Sequence, residues 1–215
     1  MSKFSVLSVS SVACFSCGGA AIKINIPDWL ESIIVWPVLL YRRVRYGYAF
    51  RRIRMAQPRY AKVDPADYKR LKRYEWITRK GKNSFYTLRY VAGGKGKKGT
   101  LIYLHQEVIE VPQGMVIDHI NHDGMDNRCA NLRPATYSQN LCHRKKRSGV
   151  TQSKYKGIYW IKNSRKWQAL ITFEKKKICL GYFRSEIDAA RAYDRAAKMY
   201  HGEFASPNFP QSPGS

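Results

Sequence analysis

The stretch from Val116 to Asn140, VIDHINHDGMDNRCANLRPATYSQN, constrains this chain more tightly than any other part of it. Val116-Ile117 predicts a short strand that delivers Asp118 and His119, and a polar loop containing Gly124 follows. Asn131-Leu132-Arg133 then leads into Pro134, and Thr136 with Gln139 three residues on has the capping-box pattern. A helix therefore starts there, with Asn140 in its first turns. Strand, loop, short strand and helix, in that order, let the strand pack on the helix and bring Asp118 and Asn140 to one point. That helix is expected to pack on its own strands without help from any later segment.

Residue chemistry gives this pattern a purpose. One carboxylate and one amide oxygen, from Asp118 and Asn140, make a hard oxygen site for Mg²⁺ or Mn²⁺ that leaves most positions free for water and phosphate oxygens. His119 leaves the strand on the opposite side from Asp118 and can take a proton from water. A neutral imidazole base needs its second nitrogen oriented, and Asn131 is the expected partner. His143, three residues after Asn140 on the same helix face, is a candidate third ligand. His122 could touch phosphate from an exposed loop, and His105 is read as a packing residue.

Charge points to the partner. The chain carries 39 Lys+Arg against 15 Asp+Glu, a net +24 over 215 residues, and a field of that size favours a polyanion. Residues 40–100 hold +16 of it, whereas residues 101–149, which contain the polar loop, are at +1. A near-neutral stretch between basic flanks suits a metal-dependent site, because surplus cations beside it would compete with the metal. The expected phosphate contacts are Lys95, Lys97 and Lys98 in a Gly/Lys turn of the preceding flank, and Arg144, Lys145, Lys146 and Arg147 in a basic hinge that ends the near-neutral stretch.

The string DHINHDGMDNRCANLRPAT…N resembles the HNH homing endonucleases of phages and mobile introns, the ββα-metal nucleases, in their DH…N…N form. The intervals of 13 from Asp118 to Asn131 and 22 from Asp118 to Asn140 fit that family. The resemblance implies that Asp118 and Asn140 hold the metal, that His119 is the general base and that Asn131 orients it. Asn140 stands where the better-known version of the motif closes with His.

Beyond the hinge the pattern becomes three strands and one helix. Trp167, Ala169, Ile171 and Phe173 alternate with Gln168, Leu170 and Thr172, and Ser185 caps a helix in which Ala190, Tyr193, Ala197 and Tyr200 recur at helical spacing. The segment from Lys154 to Pro210 resembles the plant APETALA/ethylene-response-factor DNA-binding domain through Tyr155, Gly157, Trp167, Leu180-Gly181, Ala189-Ala190, Ala192-Tyr193-Asp194, Gly202 and Asn208-Phe209. Those are mainly fold residues. At the positions that read bases in that family, Lys156 and Lys177 keep a cation, while Tyr159, Ile161, Leu170, Thr172 and Cys179 replace the usual readers. The resemblance implies a sheet docked in the major groove, but not the plant target sequence. Arg165 and Lys166 are further expected DNA contacts.

The expected architecture is α+β. A leader over residues 1–57 precedes an HNH domain with basic β-hairpins over 58–147 and a three-stranded antiparallel sheet on one helix over 148–215. The leader includes a possible helix from about Asp28 to Tyr46, interrupted at Pro37. Its apolar run from Ile33 to Tyr41 is far short of the roughly 20 residues that cross a bilayer, so stable membrane insertion is not expected. Cys14 and Cys17 form a CxxC without a second pair, and with five scattered cysteines they read as free thiols in a reducing compartment. The function expected from all this is a metal-dependent DNA endonuclease of the homing or mobile-element type. It would act on double-stranded DNA as a monomer or weak dimer in a prokaryotic or phage-infected cytoplasm, with no small-molecule cofactor. A DNA-binding regulator with an inactive HNH module is the alternative.

Overall fold

The computed structural model of the chain describes residues 28–55, 59–81, 84–94, 98–146 and 152–209. Cys14, Cys17, Lys95, Lys97 and Arg147 lie outside these segments.

Helix α1 spans Asp28–Tyr46 and runs through Pro37 without a break. Proline removes one N–H from the helical ladder, but Pro37 and Ile33 one turn before it are both exposed, so solvent can reach the carbonyl left unpaired. Glu31 fastens the helix to later parts of the chain, accepting from Arg51 at 2.7 Å and from Lys72 at 3.4 Å. Strand β1 (Arg51–Arg54) pairs antiparallel with β2 (Tyr60–Val63), with Arg51 opposite Val63. The sequence boundary at residues 57 and 58 therefore falls inside a hairpin.

Pro65 opens α2 (Pro65–Leu71), as a proline suited to the first helical turn should. The Asp64 side chain does not cap it, but accepts from the backbone N–H of Cys129 at 2.7 Å and so ties this helix start to the polar loop. Ile53, Ala61, Val63, Leu71 and Trp76 close over one another in the first core. Trp76 is 2% exposed, and its indole N–H donates to the Leu71 carbonyl at 2.8 Å. Trp76→Ala is expected to cost about 3–5 kcal/mol of stability, as large-to-small core changes do. A denaturant titration of the full chain measures this, and a loss under about 1 kcal/mol would show that the core does not depend on this ring.

Strands β3 (Ile77–Lys80), β4 (Phe85–Val91) and β5 (Thr100–Tyr103) form an antiparallel sheet in chain order. Strand β5 ends sooner than the apolar run Leu101-Ile102-Tyr103-Leu104 would allow. Leu104 is fully buried, and the chain turns there into α3 (Leu104–Val108), with the Gln106 side chain accepting from the Tyr103 N–H at 2.9 Å.

Strands β6 (Val116–His119) and β7 (Leu132–Ala135) pair antiparallel, so that Asp118 faces Arg133 and His119 faces Leu132. Helix α4 (Tyr137–His143) starts from the Thr136 box, with the Gln139 N–H donating to Thr136 Oγ1 at 3.2 Å and the Thr136 N–H to Gln139 Oε1 at 2.8 Å. In the C-terminal module β8 (Ile158–Ile161), β9 (Lys166–Phe173) and β10 (Lys176–Phe183) form an antiparallel sheet with β9 central. Helix α5 (Glu186–His201) lays Ala189, Ala190, Tyr193 and Ala197 on Ile158, Ala169 and Ile171 of that sheet. Gly157 makes the close fit possible: it has φ +76°, and a Cβ there would meet the Tyr193 ring at 2.3 Å and the Leu170 carbonyl at 2.6 Å. No helix among the described residues is long and apolar enough to cross a membrane.

Candidate active site

Asp118 and His119 are consecutive on β6, so their side chains leave opposite faces of the strand. Each meets a different set of partners. Asp118 Oδ1 lies 2.9 Å from His143 Nδ1 on α4, and Oδ2 accepts from Arg133 Nε at 2.9 Å across the hairpin. Burial alone would push the carboxyl up, but the contacts from His143 and Arg133 outweigh it and hold the group below the usual carboxylate range. Asp118 is therefore a buried, ionised carboxylate.

His119 turns toward aromatic neighbours. Its ring meets Tyr86 edge-on at 6.0 Å and His105 at 5.2 Å between centroids. Nε2 lies 3.3 Å from Asn127 Oδ1, and an N–H donated there leaves Nδ1 with the lone pair. Burial lowers the His119 pKa, although the bond to Asn127 and the charge of Asp118 oppose it, so the ring is held neutral. His105 is a packing residue by its surroundings. It stacks on Tyr103 at 5.3 Å, and burial pushes its pKa down to about 3.

The loop between the two strands is organised by its own amides. Asn131 is not on His119 but inside this loop: its Nδ2 donates to the Asp126 carbonyl at 2.7 Å and to Asn121 Oδ1 at 3.0 Å, and its Oδ1 accepts from the Asn121 N–H at 3.1 Å. A tight 3₁₀ turn over Cys129–Asn131 directs it there, which corrects the expected contact between Asn131 and the histidine. Asp126, fully buried, takes two contacts from Arg128 at 2.8 and 2.9 Å, and the Arg128 guanidinium lies over the Tyr48 ring at 3.3 Å. Backbone bonds from Lys62 N–H to Met125 O and from Asn127 N–H to Lys62 O, both 2.8 Å, fasten the loop to β2. Gly124 lets it approach β4, because a Cβ there would stand 2.5 Å from the Phe85 carbonyl.

These elements surround one pocket of about 480 Å³, bordered by Asp118, His119, His122, Asn140, His143 and Tyr86, with Arg144 and Lys145 also on its wall. His122, at φ 62°, stacks on His143 with centroids 4.0 Å apart. Burial, with the charges of His143 and Lys145, pushes its pKa down to about 4. Among the described residues no group of three or more His, Cys, Asp and Glu is arranged to hold a metal ion. The donors that face the pocket are one carboxylate, one amide and imidazoles, a set that suits a hard to borderline divalent cation.

The expected DNA contacts divide into two kinds. Lys98, Arg144, Lys145, Arg165, Lys166 and Lys177 are exposed. Lys156 and Lys146 are not outward contacts: Lys156 Nζ donates to the carbonyls of Cys142 at 2.6 Å and Arg144 at 2.8 Å, and Lys146 Nζ to those of Ser153 and Tyr155. Carbonyls at a helix C-terminus have no partner within the helix and attract cations, which draws Lys156 inward. The expectation that α4 packs only on its own strands is corrected by the same contacts. Arg133, whose Nη1 donates to the Glu203 carbonyl at 2.9 Å, and Asn127 and Arg128 are the residues that sequence reasoning passed over. Arg133 alone had a usable signal, since it sits opposite Asp118 once VIDH and LRPA are paired.

A sequence profile described as HNH endonuclease matches residues 107–142. An uncharacterised HNH endonuclease of Acanthamoeba polyphaga mimivirus is 32% identical over 142 residues, covering 63% of this chain and 67% of that protein. Protein 3.8 of Escherichia phage T7 is 31% identical over 97 residues, 44% of this chain and 77% of its own length. A short match to an ethylene-responsive transcription factor-like protein of Arabidopsis thaliana is 52% identical over 54 residues, but takes in only 25% of this chain and 22% of the plant protein. With Asp118, His119 and Asn140 of the DH…N…N pattern bordering one pocket and two thirds of the mimivirus protein covered, the chain belongs to the HNH endonuclease family.

Proposed function

We propose that the chain is a divalent-metal-dependent endonuclease that hydrolyses phosphodiester bonds in double-stranded DNA. The observation that carries this is the delivery of Asp118 and His119, from adjacent positions on β6, to a pocket that Asn140 of α4 also borders. Asp118 and Asn140 would hold Mg²⁺ or Mn²⁺, with His143 as a candidate third donor. Such an ion, when bound, offsets charge at the phosphate and at the leaving oxygen. His119, neutral and held by Asn127, takes the proton of the attacking water at Nδ1. Asn131 supports the reaction indirectly, by bracing the loop that carries Asn127. Arg144 and Lys145 meet the phosphates nearest the pocket, while Lys98 and the cations of the C-terminal sheet meet more distant ones.

The C-terminal module is read as a DNA-binding domain of the APETALA/ethylene-response-factor type. The three-stranded sheet on one helix and the short similarity to a plant transcription factor support that reading. A homing or mobile-element role in a phage- or virus-infected cell is supported by the viral source of two relatives. Purified full-length protein is expected to nick or linearise supercoiled plasmid in Mg²⁺ or Mn²⁺ and to leave it intact in EDTA. Gel analysis decides the matter, and plasmid cut equally well in EDTA would overturn the proposed metal dependence.

A further inference from the structure

The C-terminal module contacts Arg133 and the end of α4, which carry or hold residues of the pocket. The Arg133 guanidinium, whose Nε donates to Asp118, is covered on its face by the Phe204 ring at 3.8 Å, and its Nη1 donates to the Glu203 carbonyl. Phe204 is 7% exposed, so this ring is part of the packed interior. A long side chain such as arginine loses much rotamer freedom when held in one geometry, and here the ring and the carbonyl that hold it both come from the turn after α5. An arginine over an aromatic face is also held by cation–π attraction.

A second, independent path runs through Lys156. Its ammonium closes the C-terminus of α4. Its backbone is pinned on both sides by one side chain, with Lys156 N–H donating to Asn208 Oδ1 at 2.6 Å and Asn208 Nδ2 to Lys156 O at 3.3 Å. Asn208 is fixed in turn by Asp194 of α5, which accepts from its backbone N–H at 2.7 Å and its Nδ2 at 3.0 Å. Helix α4 has only seven residues, too few to be stable without tertiary partners. Yet it carries both Asn140 and His143.

We propose that the C-terminal module is a structural part of the nuclease centre, with Phe204 and Lys156 acting as positioning residues that hold Arg133 and α4, and through them Asp118, Asn140 and His143. The inference rests on the nuclease reading above. It gives the module a task separate from DNA contact: the same domain that grips the duplex completes the pocket.

The test uses the full chain with Phe204→Leu, which keeps apolar bulk but removes the ring, and with Lys156→Met and Lys156→Arg. Three quantities are measured: single-turnover plasmid cleavage at saturating DNA, duplex affinity and its salt slope in EDTA, and Mn²⁺ binding without DNA by electron paramagnetic resonance. Phe204→Leu and Lys156→Met are each expected to cut about 10–100-fold more slowly and to bind Mn²⁺ more weakly, as loss of groups that orient a metal-facing ligand does. Duplex affinity and salt slope are expected to stay within about twofold, because neither side chain faces outward, and Lys156→Arg should recover most of the rate. Thermal melts verify folding, and if Lys156→Met does not fold, Phe204→Leu decides alone. Variants that cut and bind Mn²⁺ like the wild type, or that lose rate only in proportion to duplex affinity, would overturn the inference and leave the module a DNA clamp. A wild-type chain that neither binds Mn²⁺ nor cuts DNA removes the nuclease reading and this inference together, a result distinct from silent variants of an active enzyme.

Discussion

His119→Ala is expected to slow plasmid cleavage by about 10²–10⁴-fold, the usual cost of a lost general base, with uncut duplex bound as tightly as by the wild type. The split arises from the contacts of the imidazole. Its neighbours are Tyr86, His105 and Asn127, none of them a cation for DNA, so removing the ring takes a proton acceptor from the transition state and little from the ground state. Truncation also opens a gap between Tyr86 and His105, so melting is measured beside cleavage to separate a lost base from a loosened pocket. Wild-type cleavage by the folded variant would show that His119 is not the base.

Much of this fold was legible because its signals are local. Pro65 in a first helical turn marks the start of α2, the Thr136–Gln139 box announces α4, Ser185 announces α5, and the alternation from Trp167 to Phe173 shows which face of β9 is covered. The features that escaped depend on partners distant in the chain. Strand β1, with Arg51, Arg52 and Arg54 among its four residues, resembles a charged tail until β2 pairs with it. Helix α3 starts where an apolar strand pattern has not ended, because Leu104 is needed in the core beside Trp76. These are cases in which tertiary burial overrides local pattern.

The site shows the same division more sharply. The spacing of Asp118, His119, Asn131 and Asn140 was readable, and Asp118, His119 and Asn140 do border one pocket. Which asparagine meets His119 was not, since Asn127 and Asn131 share one loop and only the turn at Cys129–Asn131 separates their directions. Lys156 was misread for a related reason. A lysine on a basic module looks like a phosphate contact until the unpaired carbonyls of a helix end more than ten residues earlier are placed beside it. Charge counts show that a surface is basic, but not which of its cations are already occupied.

Asp118→Asn carries the second large effect, on two quantities at once. Asparagine keeps the shape of the side chain but removes the only charge among the proposed oxygen ligands, so cleavage should fall by at least about 10²-fold and the metal concentration needed should rise. The same change takes from the Arg133 guanidinium, 12% exposed, its buried anion, leaving the solvent-exposed Glu203 carboxylate at 3.5 Å. Breaking one side of a buried pair typically costs about 3–5 kcal/mol. The loss here should sit near the low end, because the Glu203 carbonyl and the Phe204 ring remain on Arg133. Asn140→Ala separates the two effects, since no charge pair depends on Asn140: it should raise the metal requirement with little change in stability. Denaturant titration reads one quantity, and metal titrations of cleavage read the other. If Asp118→Asn is destabilised but cleaves at the wild-type rate with the wild-type metal requirement, Asp118 is a structural anchor for Arg133 and the proposed ligand set is wrong. If it is inactive and fully stable, the ion pair with Arg133 contributes little to the fold, and the carboxylate is held for chemistry alone.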